Sequence, residues 1–484
     1  MTVLKKLFMD PVRGEAHKEN FFRVLRFGLC CTTTFSGFDA PREAMRLMVL
    51  ALQSICPEKA PISVSFRAAC DIERPALHVL QQLSFREKDA SCVFKDLRAR
   101  LGPEACKYLA KLRPPKDAGV RVRREAFCRM EKYLAAHSSQ LFSVDARAPC
   151  VVHGQQCLCR TRPQGPMPLT LNIAGSICQG WSDAGKRAGF GHDSEELHAI
   201  WRQERVEEAK LGLEHGFFHE CTVRYPYKEK LWKPLADSHW CKTISTDPKR
   251  MGHPTMRPRV LSACFAHDHC VWCGPDDVQK DFSRIFHMKP VETGDAYFVA
   301  GAPEVRQDED VFAKRRKMWI DRESLGKHQC LSGEDLVALL PVGVRSRLAD
   351  HSTLAGETHL ADVMQNVPSK GGRATVGPLW PTQLTNSAIW SWRMNRMACK
   401  LEHAQALGVH ACAAGTTPLF GLSPLGEIFA GMSRTEVIHL CGNSMHLSTQ
   451  LAWMCYVFCN IGFKSDPFDF FSFKRARRRD GRVR

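Results

Sequence analysis

Two apolar runs near the middle of the chain each lead to a reactive side chain. Residues 169–174 form an apolar run about one strand long, and Gly175-Ser176 breaks it just before Cys178. Residues 215–222 predict a second short buried strand, which contains Glu220. Ligands bind at the carboxyl ends of the strands in open α/β sheets. The pattern therefore predicts a thiol and a carboxyl group at one edge of a parallel sheet.

Strand and helix patterns alternate through the first half of the chain. Pro41 suits the first position of a helix, and a tight turn joins it to the strand before it. The predicted elements, in order, are a strand at 24–34, a turn at 35–41, a helix at 43–52, a strand at 62–70, a helix near 126–135 and a solvated crossover helix at 194–213. This alternation predicts an α/β fold that opens with a nucleotide-type Rossmann unit.

Glu73 lies at the tip of the second predicted strand. An acidic residue there accepts hydrogen bonds from both ribose hydroxyls of an adenosine cofactor in Rossmann-like folds. A carboxylate that caps the next helix is the alternative interpretation.

The segments Ile177-Cys178-Gln179 and Glu220-Cys221-Thr222 resemble the central motifs of the cytosine-5 DNA methyltransferases, Pro-Cys-Gln and Glu-Asn-Val. The cysteine and the glutamate are retained, whereas the proline, asparagine and valine are replaced. The resemblance implies that Cys178 attacks C6 of cytosine as a thiolate, and that Glu220 shares a proton with N3 while charge builds in the ring.

Further segments resemble other motifs of this family, in the family's order. The Phe-Ser-Gly cofactor loop corresponds to Phe35, Ser36 and Gly37, followed by Asp39-Ala40 in place of the usual paired glycines. Glu73 matches the family's acidic position at the ribose. In the third motif, at residues 92–97, the resemblance implies that Asp96 accepts a hydrogen bond from the adenine amino group.

The carboxyl-terminal half contains three more such segments. Arg257 and Arg259 stand in a segment that resembles Gln-x-Arg-x-Arg, with Thr255 in place of the glutamine. Two arginines that are separated by one residue point the same way from an extended strand. The resemblance implies that they hold the flipped nucleotide. The other correspondences are Arg396 and Glu402 in a later motif, and Asn443 and Ser444 before a predicted helix at 448–459, where the family completes its cofactor pocket.

The resemblance implies an α/β, Rossmann-like S-adenosylmethionine-dependent methyltransferase fold with a mostly irregular target-recognition domain. It implies a DNA (cytosine-5-)-methyltransferase whose cofactor is S-adenosyl-L-methionine and which extrudes its target base from the duplex. The domains expected are a catalytic, cofactor-binding domain at 20–260, a DNA-binding target-recognition region at 261–383, a segment at 384–463 that returns to the catalytic domain, and a basic tail at 464–484.

Charge and composition fit a nucleic-acid partner. Hydrophobic residues make up 44% of the 484 residues, which indicates a folded protein. The formal net charge of +17 favours a polyanionic partner, and a basic protein that is merely soluble is the alternative. Residues 474–484 carry seven basic side chains and one acidic one, which predicts a nuclear localisation signal or a DNA-binding arm. We therefore expect a nuclear protein. No apolar run approaches the ~20 residues of a membrane span, and protein partners cannot be inferred.

The 22 cysteines, with no secretory signal before them, indicate reduced thiols. Two groups have ligand types that suit zinc, Cys150, His153, Cys157 and Cys159 in one, and Cys264, His267, His269, Cys270 and Cys273 in the other. Their spacings match no standard zinc finger, and frequent cysteines produce such groups by chance. The sequence leaves zinc open, and we assign no metal ion to the active site.

Two alternatives share much of this pattern. An RNA cytosine-5 methyltransferase would use the same chemistry on a different substrate. A catalytically decayed nucleic-acid-binding homologue is favoured by the replacements at Ile177, Cys221, Thr222 and Thr255. The retained Cys178, Glu220, Arg257, Arg259 and Asn443 favour an active enzyme.

Overall fold

A computed structural model describes residues 1–86, 91–162, 167–176, 180–182, 189–321, 330–331, 333–372, 375–413 and 420–465. The chain divides into two compact units. Unit 1 comprises Met1–Thr246, Arg259–Phe286 and Gln450–Arg484, and unit 2 comprises Asp247–Pro258 and His287–Thr449. None of the described helices is long and apolar enough to cross a membrane.

The strands are β1 (Leu29–Thr34), β2 (Val64–Cys70), β3 (Cys92–Phe94), β4 (Arg147–Pro149), β5 (Gln156–Leu158), β6 (Leu169–Gly175), β7 (Gly216–Thr222), β8 (His239–Thr246), β9 (Arg259–Ala266), β10 (Cys270–Trp272), β11 (Leu360–Asp362), β12 (Ile389–Ser391), β13 (Arg396–Met397) and β14 (Ile461–Phe463).

The helices are α1 (Thr2–Phe8), α2 (Gly14–Val24), α3 (Ala40–Ile55), α4 (Arg74–Phe85), α5 (Pro103–Leu112), α6 (Val120–Ala136), α7 (Ser138–Leu141), α8 (Ser194–Lys210), α9 (Lys233–Leu235), α10 (Val278–Phe286), α11 (Ala302–Arg316), α12 (Gly333–Leu339), α13 (Val342–Ser352), α14 (Lys400–Gln405), α15 (Pro424–Gly431), α16 (Arg434–Asn443) and α17 (Leu447–Phe458).

Unit 1 is built on a seven-stranded sheet with the order β3-β2-β1-β6-β7-β9-β8. The strands from β3 to β7 are parallel, and β9 runs antiparallel to both of its neighbours. The strand order reverses between β1 and β6, which is the switch point where ligands bind in open α/β sheets. The predicted Rossmann-like α/β class is confirmed by this topology.

The first strand is shorter than predicted. We expected it to begin at residue 24, but Val24 ends helix α2 and β1 begins at Leu29. Gly28 between them has φ 87°, and a Cβ atom at this glycine would lie 2.7 Å from the carbonyl oxygen of Ser63. The apolar residues before Gly28 therefore pack in a helix and a turn, which periodicity over so short a run does not separate from a strand.

Helix α8 connects β6 to β7, and the prediction that solvent covers it was wrong. Thirteen of its seventeen residues are buried, and α6 packs against it. Two of its acids pair with arginines from the segment between β3 and β6: Arg98 and Arg113 bind Glu196 at 2.9 and 2.8 Å, and Arg100 binds Glu204 at 3.1 Å. A polar sequence conceals burial of this kind because its partners lie far away in the chain.

Unit 2 contains helices α11 to α16 and a three-stranded antiparallel sheet of β11, β12 and β13. Trp390 and Trp380 each belong to an apolar cluster of buried residues in this unit. Arg396 and Glu402 form an ion pair at 2.6 Å, and a Glu402 oxygen also accepts the Ala300 N–H at 3.0 Å. This pair lies in the segment that resembles a motif of the family.

Candidate active site

The loop after β1 has an unusual backbone. Phe35, Gly37 and Asp39 have φ values of 53°, 56° and 62°, and two of the four non-glycine residues with positive φ in the described chain lie here. Such conformations concentrate at functional sites. The Ser36 hydroxyl donates to the Cys70 carbonyl at 3.1 Å and accepts the Cys70 N–H at 3.2 Å, which fastens the loop to the end of β2.

Asp39 stands where the family has glycine. Its left-handed conformation is one that glycine adopts without steric cost and that aspartate tolerates better than most residues. The buried carboxylate accepts a hydrogen bond from Arg42 Nε at 2.8 Å. This ion pair at the start of α3 helps to hold a turn that the sequence suggested only through Gly37.

Two acids follow β2. The carboxylate of Asp71 accepts the Gly37 N–H at 2.8 Å and the Glu73 N–H at 2.9 Å. Burial raises the pKa of Asp71. Glu73 is exposed and directly precedes α4, and its side chain makes no capping hydrogen bond to that helix. Asp71 thus ties two backbone segments together, while the Glu73 carboxylate lies at the strand tip without serving as a helix cap.

Asp96 lies two residues after the third strand of the sheet. Its carboxylate accepts the Arg98 N–H at 2.9 Å, at the start of the short 3-10 helix Leu97–Arg100. The Arg98 guanidinium lies 3.6 Å from the same carboxylate. The loops after β1, β2 and β3 therefore lie at the carboxyl edge of the sheet and carry the predicted residues Phe35, Ser36, Gly37, Glu73 and Asp96.

The strands β6 and β7 bring the predicted catalytic segments together. Gly175, the last residue of β6, pairs in register with Glu220 of β7. The predicted nucleophile Cys178 lies outside the described residues, three positions after this pair. Residues 169–174 and 215–222 were predicted as strands, and the structure confirms both, with bounds of Leu169–Gly175 and Gly216–Thr222.

A buried histidine supports the start of the cysteine loop. His219 Nε2 lies 2.7 Å from the Ser176 hydroxyl, the last described residue before Cys178. Burial lowers the pKa of His219 to about 3, so its ring is neutral at physiological pH. This contact was not predicted from the sequence, although a histidine inside a buried strand requires a hydrogen-bond partner.

Aromatic rings pack around that histidine. The rings of Trp201 and Tyr225 lie 5.3 and 4.9 Å from the His219 ring, and Tyr225 Oη lies 2.5 Å from His198 Nε2. All four side chains are buried. They form a rigid support beneath the carboxyl ends of β6 and β7.

Glu220 has a specific cationic partner. Arg259, the first residue of β9, places its Nε 2.7 Å from a Glu220 carboxylate oxygen, and both side chains are largely buried. The antiparallel register sets Arg259 opposite Thr222, two residues beyond Glu220 on the same face of β7. Two of the four predicted catalytic residues therefore lie in direct contact.

Arg257 has different partners from Arg259. Its Nη2 donates to the carbonyl oxygen of Gly442 at 3.1 Å and to that of Ser444, and its backbone N–H donates to Asp247 at 3.1 Å. Within unit 2 it thus holds the turn that contains the predicted cofactor residues Asn443 and Ser444. Asn443 Nδ2 lies 3.3 Å from His439 Nε2, at the end of α16.

The second cysteine-histidine group does not converge on one point. His267 Nε2 lies 3.1 Å from the Ala236 carbonyl oxygen, and His269 Nε2 lies 3.0 Å from that of Ala209. The Cys273 thiol donates to the Val271 carbonyl. Within the described ranges, the group with metal-ligand spacing is formed by Cys92, Cys150, His153 and Cys157. It contains three residues of the first predicted cluster.

The strand order, with its polar loops at one edge and an antiparallel β9, defines a Rossmann-like α/β fold. No protein-family model matches the chain, and no curated protein matches it. Several solved structures are similar. Entamoeba histolytica methyltransferase EhMeth shares 11% identity over 89% of this chain and 98% of that chain, with a TM-score of 0.41.

Two other solved structures are also similar to this chain. The Dnmt2 methyltransferase of S. pombe shares 9% identity over 89% of this chain and 98% of that chain, with a TM-score of 0.43. A putative DNA modification methyltransferase encoded within an E. coli prophage shares 13% identity over 86% of this chain and 98% of that chain, with a TM-score of 0.36.

Proposed function

We propose that this protein transfers a methyl group from S-adenosylmethionine to C5 of cytosine in DNA, through a covalent bond between Cys178 and the flipped base. The observation that carries the proposal is the register of β6 and β7, in which Gly175 pairs with Glu220. Cys178 lies three positions after Gly175, so the cysteine loop starts beside the glutamate. The Glu220–Arg259 ion pair at 2.7 Å completes a charged group at the same strand ends.

The donor set at the neighbouring strand ends fits the cofactor. One backbone loop with left-handed residues follows β1, and two acids, Glu73 and Asp96, follow β2 and β3. Glu73 would accept the ribose hydroxyls, and Asp96 the adenine amino group. Phe35, Ser36 and Gly37 would line the cofactor, and the predicted cofactor roles of Asn443 and Ser444 rest on the family resemblance alone. When bound, S-adenosylmethionine supplies an electrophilic methyl group.

The chain's own residues would activate the cytosine. The Cys178 thiolate forms a bond to C6, and the ring electrons move toward C5 while N3 shares a proton held at Glu220. C5 thereby becomes nucleophilic and would form a bond to the methyl carbon as the bond between that carbon and the sulfonium sulfur breaks, which leaves S-adenosylhomocysteine. Loss of the C5 proton to a base and cleavage of the bond between sulfur and C6 then restore the aromatic ring and free the thiolate.

The substrate must reach this group outside its helix. C6 is inaccessible in a stacked duplex, so the target nucleotide must be extruded. The net charge of +17 favours binding to the phosphate backbone. Arg259 would orient Glu220 toward the base, and Arg257 would hold the segment around Asn443. Nuclear localisation stays part of this proposal.

A methyl-transfer assay separates the proposal from its alternatives. Labelled S-adenosylmethionine would be incubated with DNA and RNA of the same sequence, and 5-methylcytosine identified by mass spectrometry. We expect label in DNA, lost in Cys178→Ala and lowered ~10²–10⁴-fold in Glu220→Gln. The exposed Cys128 supplies the matched control, because Cys128→Ala should leave the rate unchanged.

Each other outcome favours a different function. Label in RNA alone would support the RNA cytosine-5 methyltransferase. Nucleic-acid binding without label in either substrate would support a decayed homologue, as the replacements at Ile177, Cys221, Thr222 and Thr255 suggest.

A further inference from the structure

Three cysteines converge on one histidine nitrogen at the edge of the main sheet. The sulfur atoms of Cys92, Cys150 and Cys157 lie 3.6, 3.3 and 3.4 Å from His153 Nδ1. The four potential ligand atoms all lie within 4.8 Å of one another. Cys92 comes from β3, whereas the other three residues lie within an eight-residue stretch around the hairpin of β4 and β5.

Hydrogen bonding does not account for this arrangement. A neutral imidazole nitrogen either donates one proton or offers one lone pair, so Nδ1 cannot satisfy three thiols at similar distances. A tetrahedral zinc ion does account for it. With Zn–S near 2.3 Å and Zn–N near 2.0 Å, sulfur and nitrogen on one tetrahedral edge lie about 3.5 Å apart. The three observed distances bracket that value.

The backbone holds the ligands in place independently of the side chains. The Cys150 N–H donates to the Gln155 carbonyl at 2.9 Å, and the Gly154 N–H donates to the Cys150 carbonyl at 3.0 Å, which folds the loop back on itself. Gly154 has φ 64°, a conformation that suits glycine. The turn therefore brings His153 and Cys157 round to Cys150.

The same loop is joined to the edge strand of the sheet. The Val151 N–H donates to the Val93 carbonyl at 2.8 Å, and Cys150 forms a bridge with Phe94. Val151 and Val152 also pack against the small apolar cluster that contains Val93. Cys92 lies two residues before Phe94, so both side chains lie on the same face of β3. The Cys92 thiol contacts His153 of the hairpin.

We propose that Cys92, Cys150, His153 and Cys157 bind one zinc ion that fastens the β4–β5 hairpin to β3. Four protein ligands leave no open coordination position, so the site is structural rather than catalytic. Its position explains why the hairpin can cover an edge strand that would otherwise expose unpaired backbone groups. It also lies on the strand that leads to Asp96, so the metal would stabilise one wall of the proposed cofactor site.

Cys159 supplies a sharp internal control. The sequence grouped it with Cys150, His153 and Cys157, but the structure puts Cys92 in its place. Cys159 is buried in the apolar cluster of unit 1, and its backbone N–H donates to the Ala146 carbonyl. Replacement of Cys92 should therefore remove the metal ion, whereas replacement of Cys159 should not.

Zinc content of the full chain tests the assignment. Protein purified without chelator should contain one zinc ion per chain by inductively coupled plasma mass spectrometry. Cys92→Ser and Cys157→Ser should lose it, whereas Cys159→Ser and the exposed Cys128→Ser should keep it. His153→Cys should also keep it, because Cys₄ is a common structural zinc set.

A measurement on the unaltered chain covers the case in which the variants fail to fold. X-ray absorption at the zinc edge should show three sulfur ligands near 2.3 Å and one nitrogen near 2.0 Å. Replacement of zinc by cobalt(II) should give the absorption bands of a tetrahedral thiolate site. Unaltered protein without stoichiometric zinc would overturn the proposal, as would folded Cys92→Ser that keeps its zinc while Cys159→Ser loses it.

Discussion

Asp71 and Glu73 have separate tasks at the tip of β2. Asp71 is largely buried, and both of its carboxylate oxygens accept backbone N–H groups, from Gly37 and from Glu73. Its interactions fix the geometry of two loops. Glu73 is exposed at the strand end and its side chain makes no capping bond to α4, and its contact with the cofactor ribose stays a prediction.

Glu73→Gln should weaken binding of S-adenosylmethionine. The amide keeps the size of the side chain but loses the charge, so the ribose hydroxyls bind a poorer acceptor, at a cost of roughly 1–3 kcal/mol. Titration calorimetry measures this directly, and DNA affinity should change little. Glu58→Gln, an exposed carboxylate outside the proposed site, is the control. Equal cofactor affinity in wild type and Glu73→Gln would remove this residue from the site.

Local pattern predicted only part of the site. Glu220 followed from a buried strand that ends in a carboxylate, and its register with β6 is confirmed. His219 and Cys92 were missed, because each acts through a partner more than forty residues away in the chain, Ser176 and Cys150 respectively. No short-range pattern encodes such contacts. Cys178 lies outside the described residues, and its role stays a prediction.

At the scale of elements, helix α8 shows how a charged sequence can be buried. Glu204 is fully buried and contacts Arg100 at 3.1 Å and Arg205 at 2.8 Å, with Arg160 closer still. Burial alone would raise the pKa of Glu204, but the three guanidinium groups together lower it to about 2. The carboxylate therefore stays ionised inside unit 1.

Glu204→Gln should destabilise unit 1 strongly. Removal of one partner leaves buried guanidinium charges without full compensation, which costs about 3–5 kcal/mol. Urea unfolding followed by circular dichroism measures the change. Glu104→Gln breaks an exposed ion pair with Lys107 and should leave the midpoint nearly unchanged. Equal midpoints for the two variants would mean that the α8 network contributes little to stability.

The Rossmann-like α/β class was predictable because strand and helix patterns alternate in the first half of the chain. The strands at 62–70, 169–174 and 215–222 are confirmed, and the helices at 43–52, 126–135 and 448–459 are confirmed with slightly different ends. The polar surface of α8 led to the wrong environment for a correctly predicted helix. The short β4–β5 hairpin gave no periodic pattern, since each of its strands has only three residues.

At the scale of the whole molecule, buried histidines couple stability to pH. Burial lowers the pKa of His17 and His215 to about 4, and that of His219 and His239 to about 3. Each folded-state value lies below the unfolded value of about 6.5. The unfolded chain therefore binds more protons below pH 6.5, and the free energy of unfolding falls as the pH decreases toward 4.

The urea midpoint should therefore be lower at pH 5.5 than at pH 7. Each buried histidine contributes a slope of up to about 1.4 kcal/mol per pH unit in this window. His239→Phe should lower the slope of the unfolding free energy against pH by the contribution of one histidine, up to about 1.4 kcal/mol per pH unit. This change separates the effect of the histidines from that of the carboxyl groups. A midpoint that does not change between the two pH values would show that these rings are protonated in the folded protein.

We propose that Cys178 forms a covalent bond to the target cytosine. A DNA duplex that carries 5-fluorocytosine tests this bond, because fluorine cannot leave C5 as the proton does and the bond from sulfur to C6 persists. With S-adenosylmethionine present, we expect a protein–DNA complex that survives denaturing electrophoresis. Cys178→Ser should not form this complex, and Cys128→Ser should form it normally. A denaturation-resistant complex with Cys178→Ser, or none with the wild-type protein, would show that Cys178 does not form the covalent bond to cytosine.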